Sequence, residues 1–311
     1  MLVLRGPHHI APSSTVLTIG NFDGVHLGHR ALLQRLIDTA ARLGLPPAVL
    51  TFEPHPREFF DSKNAPTRLA SFREKMELLA EHGVQITMVA RFNAAFARLS
   101  ADAFVENVLV KALRARHIMI GDDFRYGARR AGGFSHLQSM GLRHSFAVEA
   151  MHSVLLEGER VSSSGVRAAL DMGDMPLAAK LLGRSYSIDG RVVHGDKRGR
   201  LLGFPTANIR VKHNPMPMTG VFAVEVRRQD ALGRPGPLLH GVANLGVRPT
   251  VAGTRPLLEI HLFDFAGDLY GTHLNVRFIY KIRNEMKFAG LEALTAQIAC
   301  DARAARQFFN I

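Results

Sequence analysis

The chain has 311 residues, 47% hydrophobic and 21% charged, which excludes the disordered and fibrous classes and suits two domains of roughly 150 residues better than one. Its net charge of +12 fits polyanionic partners or a basic surface without such a role, and no basic run reaches the five or so residues of a nucleic-acid tail. Cys300 is the single cysteine, which excludes a disulfide framework and multi-cysteine zinc sites, and no apolar run approaches the ~18 residues of a membrane span.

The opening "MLVLRGPHHIAPSST" lacks the basic start, apolar core and cleavage site of a signal peptide, so a cytoplasmic location and no membrane partner are expected. Strands are expected at 16–19, 48–52, 86–90, 117–120 and 146–150, alternating with helical patterns. After the first strand, Leu32, Leu33, Leu36, Ile37 and Ala40 share a helical face that stops at Gly44, with Pro46 beyond. Ser100 is placed to cap a second helix whose Phe104, Val108 and Leu109 lie on one side. This alternation predicts a doubly wound α/β domain, in which ligands bind beyond the C-terminal ends of the strands. "GNFDGVHLGH", "EPHP" and "GDDFRYG" all fall there.

In the first of these, a strand passes through a glycine turn into a helix, so free N–H groups and the positive helix end converge on one spot that favours phosphate. His26 and His29 share a face at that helix start, and Gly28 between them permits close approach. Asp122 and Asp123 fit either this pocket or a solvated turn. In "VSSSGVRAAL", Ser163 or Ser164 suits a helix cap or a phosphate contact, and Arg167 adds a forked donor.

The segment "DMGDMPLAAKLLGRS" links this half to a different regime. From there short strands are expected at 187–193, 206–211, 221–227, 239–244, 257–263 and 274–279, separated by Gly and Pro turns, which predicts an antiparallel barrel or sandwich. A terminal helix follows, expected to pack through Leu291, Leu294, Ile298 and Phe308. Gly195, Gly199 and Gly203 space a loop that holds Lys197, Arg198 and Arg200. Thr206 and Asn208, two apart on a strand, would point to one face and could ligate a hard cation such as Mg²⁺. A polar edge strand is the other reading of these residues. Aromatics total 7% with no Trp, which weighs against an oligonucleotide platform, where aromatics interleave with basic residues.

"NFDGVHLGH" resembles the HxGH nucleotidyltransferase superfamily, and "GFPTAN" with "GVFAVEV", "GVANLGVRPT" and "LEIHLFDF" resembles riboflavin kinases. Together the whole chain is similar to the bacterial bifunctional riboflavin kinase/FAD synthetases. The resemblance implies a Rossmann-like nucleotidyltransferase domain at 1–183 and a six-stranded antiparallel riboflavin kinase-like barrel with a terminal helix at 184–311. It implies riboflavin, FMN and FAD as substrates and products, ATP as co-substrate, Mg²⁺ as cofactor, apo-flavoenzymes as acceptors of FAD, and no nucleic-acid partner. On matching positions it implies His26 and His29 as the groups stabilising the triphosphate, and Gly20, Phe22, Asp23, Gly28, Phe52, His55, Asp123, Phe124, Ser164 and Arg167 around ATP and FMN. In the other half it implies Glu259 as the base toward the ribityl hydroxyl, with Gly195, Lys197, Arg198, Gly203, Thr206 and Asn208 at ATP and riboflavin and the last two on Mg²⁺. Members often read S-S-T-R-x-R where this chain has S-S-S-G-V-R, so Gly165 replaces an arginine. Taken on its residues alone, Glu259 also suits a cross-strand salt bridge.

Overall fold

The structure is a computed structural model that describes residues 1–195, 203–211, 215–230, 234–250 and 253–311, without the side chains of 248–250 and 253–255. The chain divides into two compact units, Met1–Pro66 with Phe72–Ser162, and Thr67–Ser71 with Ser163–Ile311.

In the first unit, strands β1 (Leu2–Arg5), β2 (Thr15–Ile19), β3 (Pro47–Glu53), β4 (Ile86–Arg91), β5 (Ala115–Gly121) and β6 (Ala147–Met151) form one parallel sheet in the order β1-β4-β3-β2-β5-β6. The chain winds outward from β2 through β3 to β4, then crosses to β5 on the other side of β2. That reversal opens a crevice above the ends of β2 and β5, where open α/β sheets bind ligands. β1 has no counterpart among the expected strands. It is a four-residue edge with only Leu4 buried, too short to show a periodicity. Helices are α1 (Leu27–Leu43), α2 (Pro56–Phe60), α3 (Phe72–Glu81), α4 (Ala94–Ala97), α5 (Ala101–Phe104) and α6 (Phe134–His144). α1 ends at Gly44 in the left-handed conformation, φ 65°, which glycine adopts without penalty. Ser100 caps α5, its hydroxyl accepting from the Ala103 amide at 3.1 Å. The helix expected beyond it widens at Val105–Ala112 into a π-helix, which keeps Phe104, Val105, Val108 and Leu109 buried against the sheet. The unit also carries a small hairpin of β7 (Leu155–Leu156) and β8 (Glu159–Arg160).

The second unit opens with α7 (Ser163–Met172) and α8 (Met175–Leu182), followed by β9 (Ser187–Val193), β10 (Ala207–Arg210), β11 (Gly220–Gln229), β12 (Pro235–Thr250), β13 (Gly253–Leu262) and β14 (His273–Arg283). These six strands close into an antiparallel barrel in the order β10-β13-β12-β11-β14-β9. Alternate residues fill it: Ile209, Phe222, Val224, Leu245, Leu258, Ile260 and Phe278 are all buried, as a period of two requires. Gly190 makes room for Ile209, whose Cγ2 would lie 2.2 Å from a Cβ there.

The terminal helix α9 (Leu291–Phe309) covers the outer face of the barrel, and of the residues expected to pack, Leu294 and Ile298 are half-buried on the stripe that continues to Ala302 and Ala305. Ala302 and Ala305 pack with Val221, Ala223, Val242 and Phe263, Phe308 stacks on Tyr280 of β14 at 5.0 Å, and Leu291 is exposed. Small residues let the helix approach the wall closely, which the largest apolar side chains would prevent. Arg283 on β14 clamps the helix, its Nε and Nη2 donating to Asp301 Oδ1 and Oδ2 at 2.9 and 2.7 Å, and Gln297 also donates to Asp301. Asp301 is 4% exposed, so breaking the pair strands a largely buried guanidinium. Asp301→Ala is expected to lower the unfolding free energy of the barrel by about 3 kcal/mol, measured by urea titration; a loss under about 0.5 kcal/mol would show a pair that contributes nothing. Among the described residues no helix is long and apolar enough to cross a membrane.

Candidate active site

At the crevice of the first unit, the turn from β2 into α1 is forced through the left-handed region at Phe22 (φ 49°), Gly24 (φ 77°) and Val25 (φ 40°). Strain at two non-glycine residues persists only where the surroundings hold it, and Phe22 and Val25 are fully buried. The turn delivers His26 to the N-cap of α1, where its Nδ1 accepts from the His29 amide at 3.3 Å. With Nδ1 accepting, the proton of the neutral ring sits on Nε2. His29 stacks on His26 with ring centroids 3.7 Å apart and planes at 17°, and Phe22 backs it at 4.9 Å. Gly28 leaves room for this stack: a Cβ would lie 3.1 Å from the His26 ring and 3.4 Å from the Val161 carbonyl oxygen. Gly20 likewise makes room for the Phe22 ring, 3.1 Å from its Cβ position. Asp23 is buried beside them in sequence.

Burial, then His26, then Lys75 lower the pKa of His29 well below that of a free histidine. Its Nδ1 is buried without a hydrogen-bond partner among the described residues, as is Asn21 Oδ1. A neutral ring in this state can donate a hydrogen bond to an incoming anion without first carrying a buried charge. Because the folded pKa lies below the ~6.5 of the unfolded chain, the unfolded state binds the proton first as pH falls. The contribution of His29 to stability is therefore present above about pH 6.5 and lost below it. Urea midpoints at pH 7.5 and 5.5 are expected to differ more for wild type than for His29→Gln; equal differences would contradict the buried neutral ring.

The other expected residues of this half distribute unevenly. His55 caps α2, its Nδ1 accepting from the Arg57 amide at 3.1 Å while Glu58 accepts from the His55 amide. Phe52 meets Phe92 and Phe96 at 5.9 and 6.0 Å. Ring contacts continue through Phe104 and Tyr126 to Phe124, joining the ends of β3, β4 and β5. Asp123 pairs with Arg160 at 2.8 Å. Ser164 and Arg167 stand on α7 in the second unit, where Ser163 and Ser164 are the first residues of the helix and Arg167 Nε donates to the Thr67 carbonyl at 2.6 Å. Lys75, Phe92 and Phe96 did not emerge from the sequence. Lys75 reads there as one charge on an amphipathic helix, and Phe92 and Phe96 as ordinary packing after a strand.

On the barrel, Asn208, Glu259 and Asn244 are partners in register across β10, β13 and β12, and the row continues to Val221 under α9. Directly opposed residues place their Cβ atoms roughly 4.5–5.5 Å apart on one face. Asn208 is buried, and its Oδ1 has no hydrogen-bond partner among the described residues. Its Nδ2 donates to the Thr206 carbonyl at 3.3 Å. Gly195 presses against this amide, since a Cβ there would lie 2.6 Å from Nδ2. β10 starts at Ala207, so Thr206 directly precedes the strand that carries Asn208. Gly203 adopts φ 81°, a left-handed position that explains the glycine of "GFPTAN". Lys197 and Arg198 lie outside the described residues.

Each unit thus carries its own set of groups suited to nucleotide phosphates, which defines a transferase with two separate sites. Residues 9–165 match the family model for FAD synthetase, and residues 182–309 match that for riboflavin kinase. The bifunctional riboflavin kinase/FMN adenylyltransferase of Escherichia coli strain K12 is 48% identical over 100% of this chain and 99% of its own length. That of Haemophilus influenzae is 46% identical over 100% of both, and that of Pseudomonas fluorescens 49% identical over 98% and 97%. A crystal structure described as a macrolide-efflux protein from Streptococcus pneumoniae superposes with a TM-score of 0.81 over 98% of this chain and 99% of its own, at 28% identity. The chain belongs to the bifunctional riboflavin kinase/FMN adenylyltransferase family.

Proposed function

We propose that the two activities of the family are divided along the chain. Residues 184–311 transfer the terminal phosphoryl group of ATP to riboflavin, giving FMN and ADP. Residues 1–183 let the FMN phosphate attack the α-phosphorus of a second ATP, giving FAD and pyrophosphate. One observation supports both assignments: each unit holds a buried polar atom without a partner where the chemistry needs one, His29 Nδ1 in the first and Asn208 Oδ1 in the second.

In the adenylyl half, transfer requires positioning and charge stabilisation more than a protein nucleophile. The amides at the head of α1 and the paired imidazoles of His26 and His29 meet the triphosphate, and they bind the charge growing on the leaving pyrophosphate more tightly than the ground state. Gly20, Phe22, Asp23 and Gly28 shape that turn. Phe52, His55, Asp123 and Phe124 line the crevice toward FMN and adenine.

In the kinase half, Glu259 takes the proton of the terminal ribityl hydroxyl as it attacks the γ-phosphorus. Gly195, Lys197, Arg198 and Gly203 bracket the ATP. An unpartnered amide oxygen suits a hard cation, so Asn208, with Thr206, fits Mg²⁺. Bound there, Mg²⁺ supplies charge neutralisation of the triphosphate. FMN passes between the sites by diffusion, FAD goes on to apo-flavoenzymes, and the cytoplasm is the working compartment.

Incubation with riboflavin, ATP and Mg²⁺, followed by chromatography, is expected to show FMN and then FAD. Excess EDTA is expected to stop both steps. FAD formed undiminished in EDTA would exclude the role given to Mg²⁺, and the absence of both products in full medium would exclude the function.

A further inference from the structure

We propose that His136 is a positioning residue for adenylyl transfer, acting through a hydrogen-bonded chain of Asp102, His136 and Tyr126 that holds the loop of residues 121–133 against the FMN side of the crevice. The proposal rests on the placement of adenylyl transfer in the first unit.

The chain joins three elements. Tyr126 lies in the loop after β5, His136 in the first turn of α6, and Asp102 in α5. The Tyr126 hydroxyl meets His136 Nδ1 at 2.7 Å, and His136 Nε2 meets Asp102 Oδ1 at 2.7 Å. Burial and the Asp102 charge push the Tyr126 phenol up, so its O–H stays protonated and donates to Nδ1. The imidazole then carries its proton on Nε2 and donates to the carboxylate. Every polar atom along this path is satisfied in a single direction.

The loop needs such an anchor. Arg129 and Arg130 sit at φ 55° and 59°, a region that costs a side-chain-bearing residue energy. Its backbone is tied by the Ala128 amide donating to the Leu99 carbonyl at 2.7 Å and the Asp122 amide donating to the Met151 carbonyl at 3.2 Å, and by a bridge between Tyr126 and Gly132, but the Asp123–Arg160 pair, whose side chains are 65% and 52% exposed, is worth little in water. The Tyr126 ring, by contrast, is buried. Gly132 lies flat against it, with a Cβ position 2.6 Å from the ring, and Phe104 packs at 5.2 Å. Phe124 stacks on the same ring at 5.7 Å and 22°. Fixing the hydroxyl of Tyr126 therefore fixes the plane on which Phe124 rests, and with it the neighbouring Asp123. His136 touches none of the groups assigned to the chemistry.

His136→Leu leaves the Tyr126 hydroxyl buried without a partner, which costs more than removing both partners together. In purified full-length protein the variant is expected to raise KM for FMN in FAD formation about five- to tenfold, with kcat within about twofold and riboflavin phosphorylation unchanged. Tyr126→Phe combined with His136→Leu removes the chain without leaving a buried hydroxyl unpaired, and is expected to keep KM raised. Phe124→Ala, measured in parallel, reports on the FMN pocket itself. If Phe124→Ala raises KM and His136→Leu does not, the pocket stands and the positioning role is overturned. A fall in the melting temperature of His136→Leu with KM unchanged, or recovery of wild-type KM in the double variant, also overturns it. No effect of Phe124→Ala on KM removes the placement of FMN and the proposal with it.

Discussion

His29→Ala is expected to turn the protein from a producer of FAD into a producer of FMN. The ring it removes stacks at 3.7 Å on His26 and offers the buried nitrogen that has no partner of its own. Losing one preorganised donor to a developing oxyanion typically costs 10²–10³ in rate, so FAD formation from FMN and ATP should fall by about that factor. Riboflavin phosphorylation should persist, because Asn208, Glu259 and Asn244 belong to the barrel of the other unit. Accumulated FMN with little FAD, followed by chromatography over time, is the signature. Undiminished FAD would show that the stacked pair is structural and that the triphosphate binds elsewhere.

Glu259→Gln is expected to give the mirror image. The amide keeps the shape of the side chain in the row Asn208, Glu259, Asn244 but cannot accept a proton from the ribityl hydroxyl. General-base catalysis is worth roughly 10²–10⁴, and FMN formation should fall within that range, with FMN added from outside still converted to FAD. Mixing the two variants should restore FAD from riboflavin, since FMN made by His29→Ala is free to reach the intact crevice of Glu259→Gln. A Glu259→Gln enzyme with more than about a third of wild-type kinase activity would return the residue to the cross-strand pairing its sequence position also allows.

Local chemistry made several features readable before any coordinates. Gly44 ends α1 and Ser100 caps α5 because both act within one turn of their own position. The strand, glycine turn and histidine pair are contiguous, so the placement of His26 and His29 together at the head of α1 is legible in the sequence. What could not be read depends on distant partners. β1 is a strand only because β4 accepts it. The close approach of α9 to the barrel wall is set by Ala302 and Ala305, and a buried Asp301 appears on no apolar stripe. Lys75 is one charge among several on α3 until burial places it near His29. The carboxylate of Asp102, the imidazole of His136 and the phenol of Tyr126 are up to 34 residues apart, and nothing in their local sequence announces a connection. Asn208 and Glu259 were each visible, but their alignment belongs to strand register, which no local pattern encodes.

That register has a consequence for how the kinase half is made. Residues on β13 alternate between the interior, Leu258 and Ile260, and the outer row, Glu259. Pairing displaced by one residue would turn the carboxylate into the apolar lumen and two large aliphatic side chains outward. With Glu259 as the proposed base, catalytic competence and correct strand alignment become one property of this barrel, and chains that close in the wrong register exclude themselves from the pool of working enzyme.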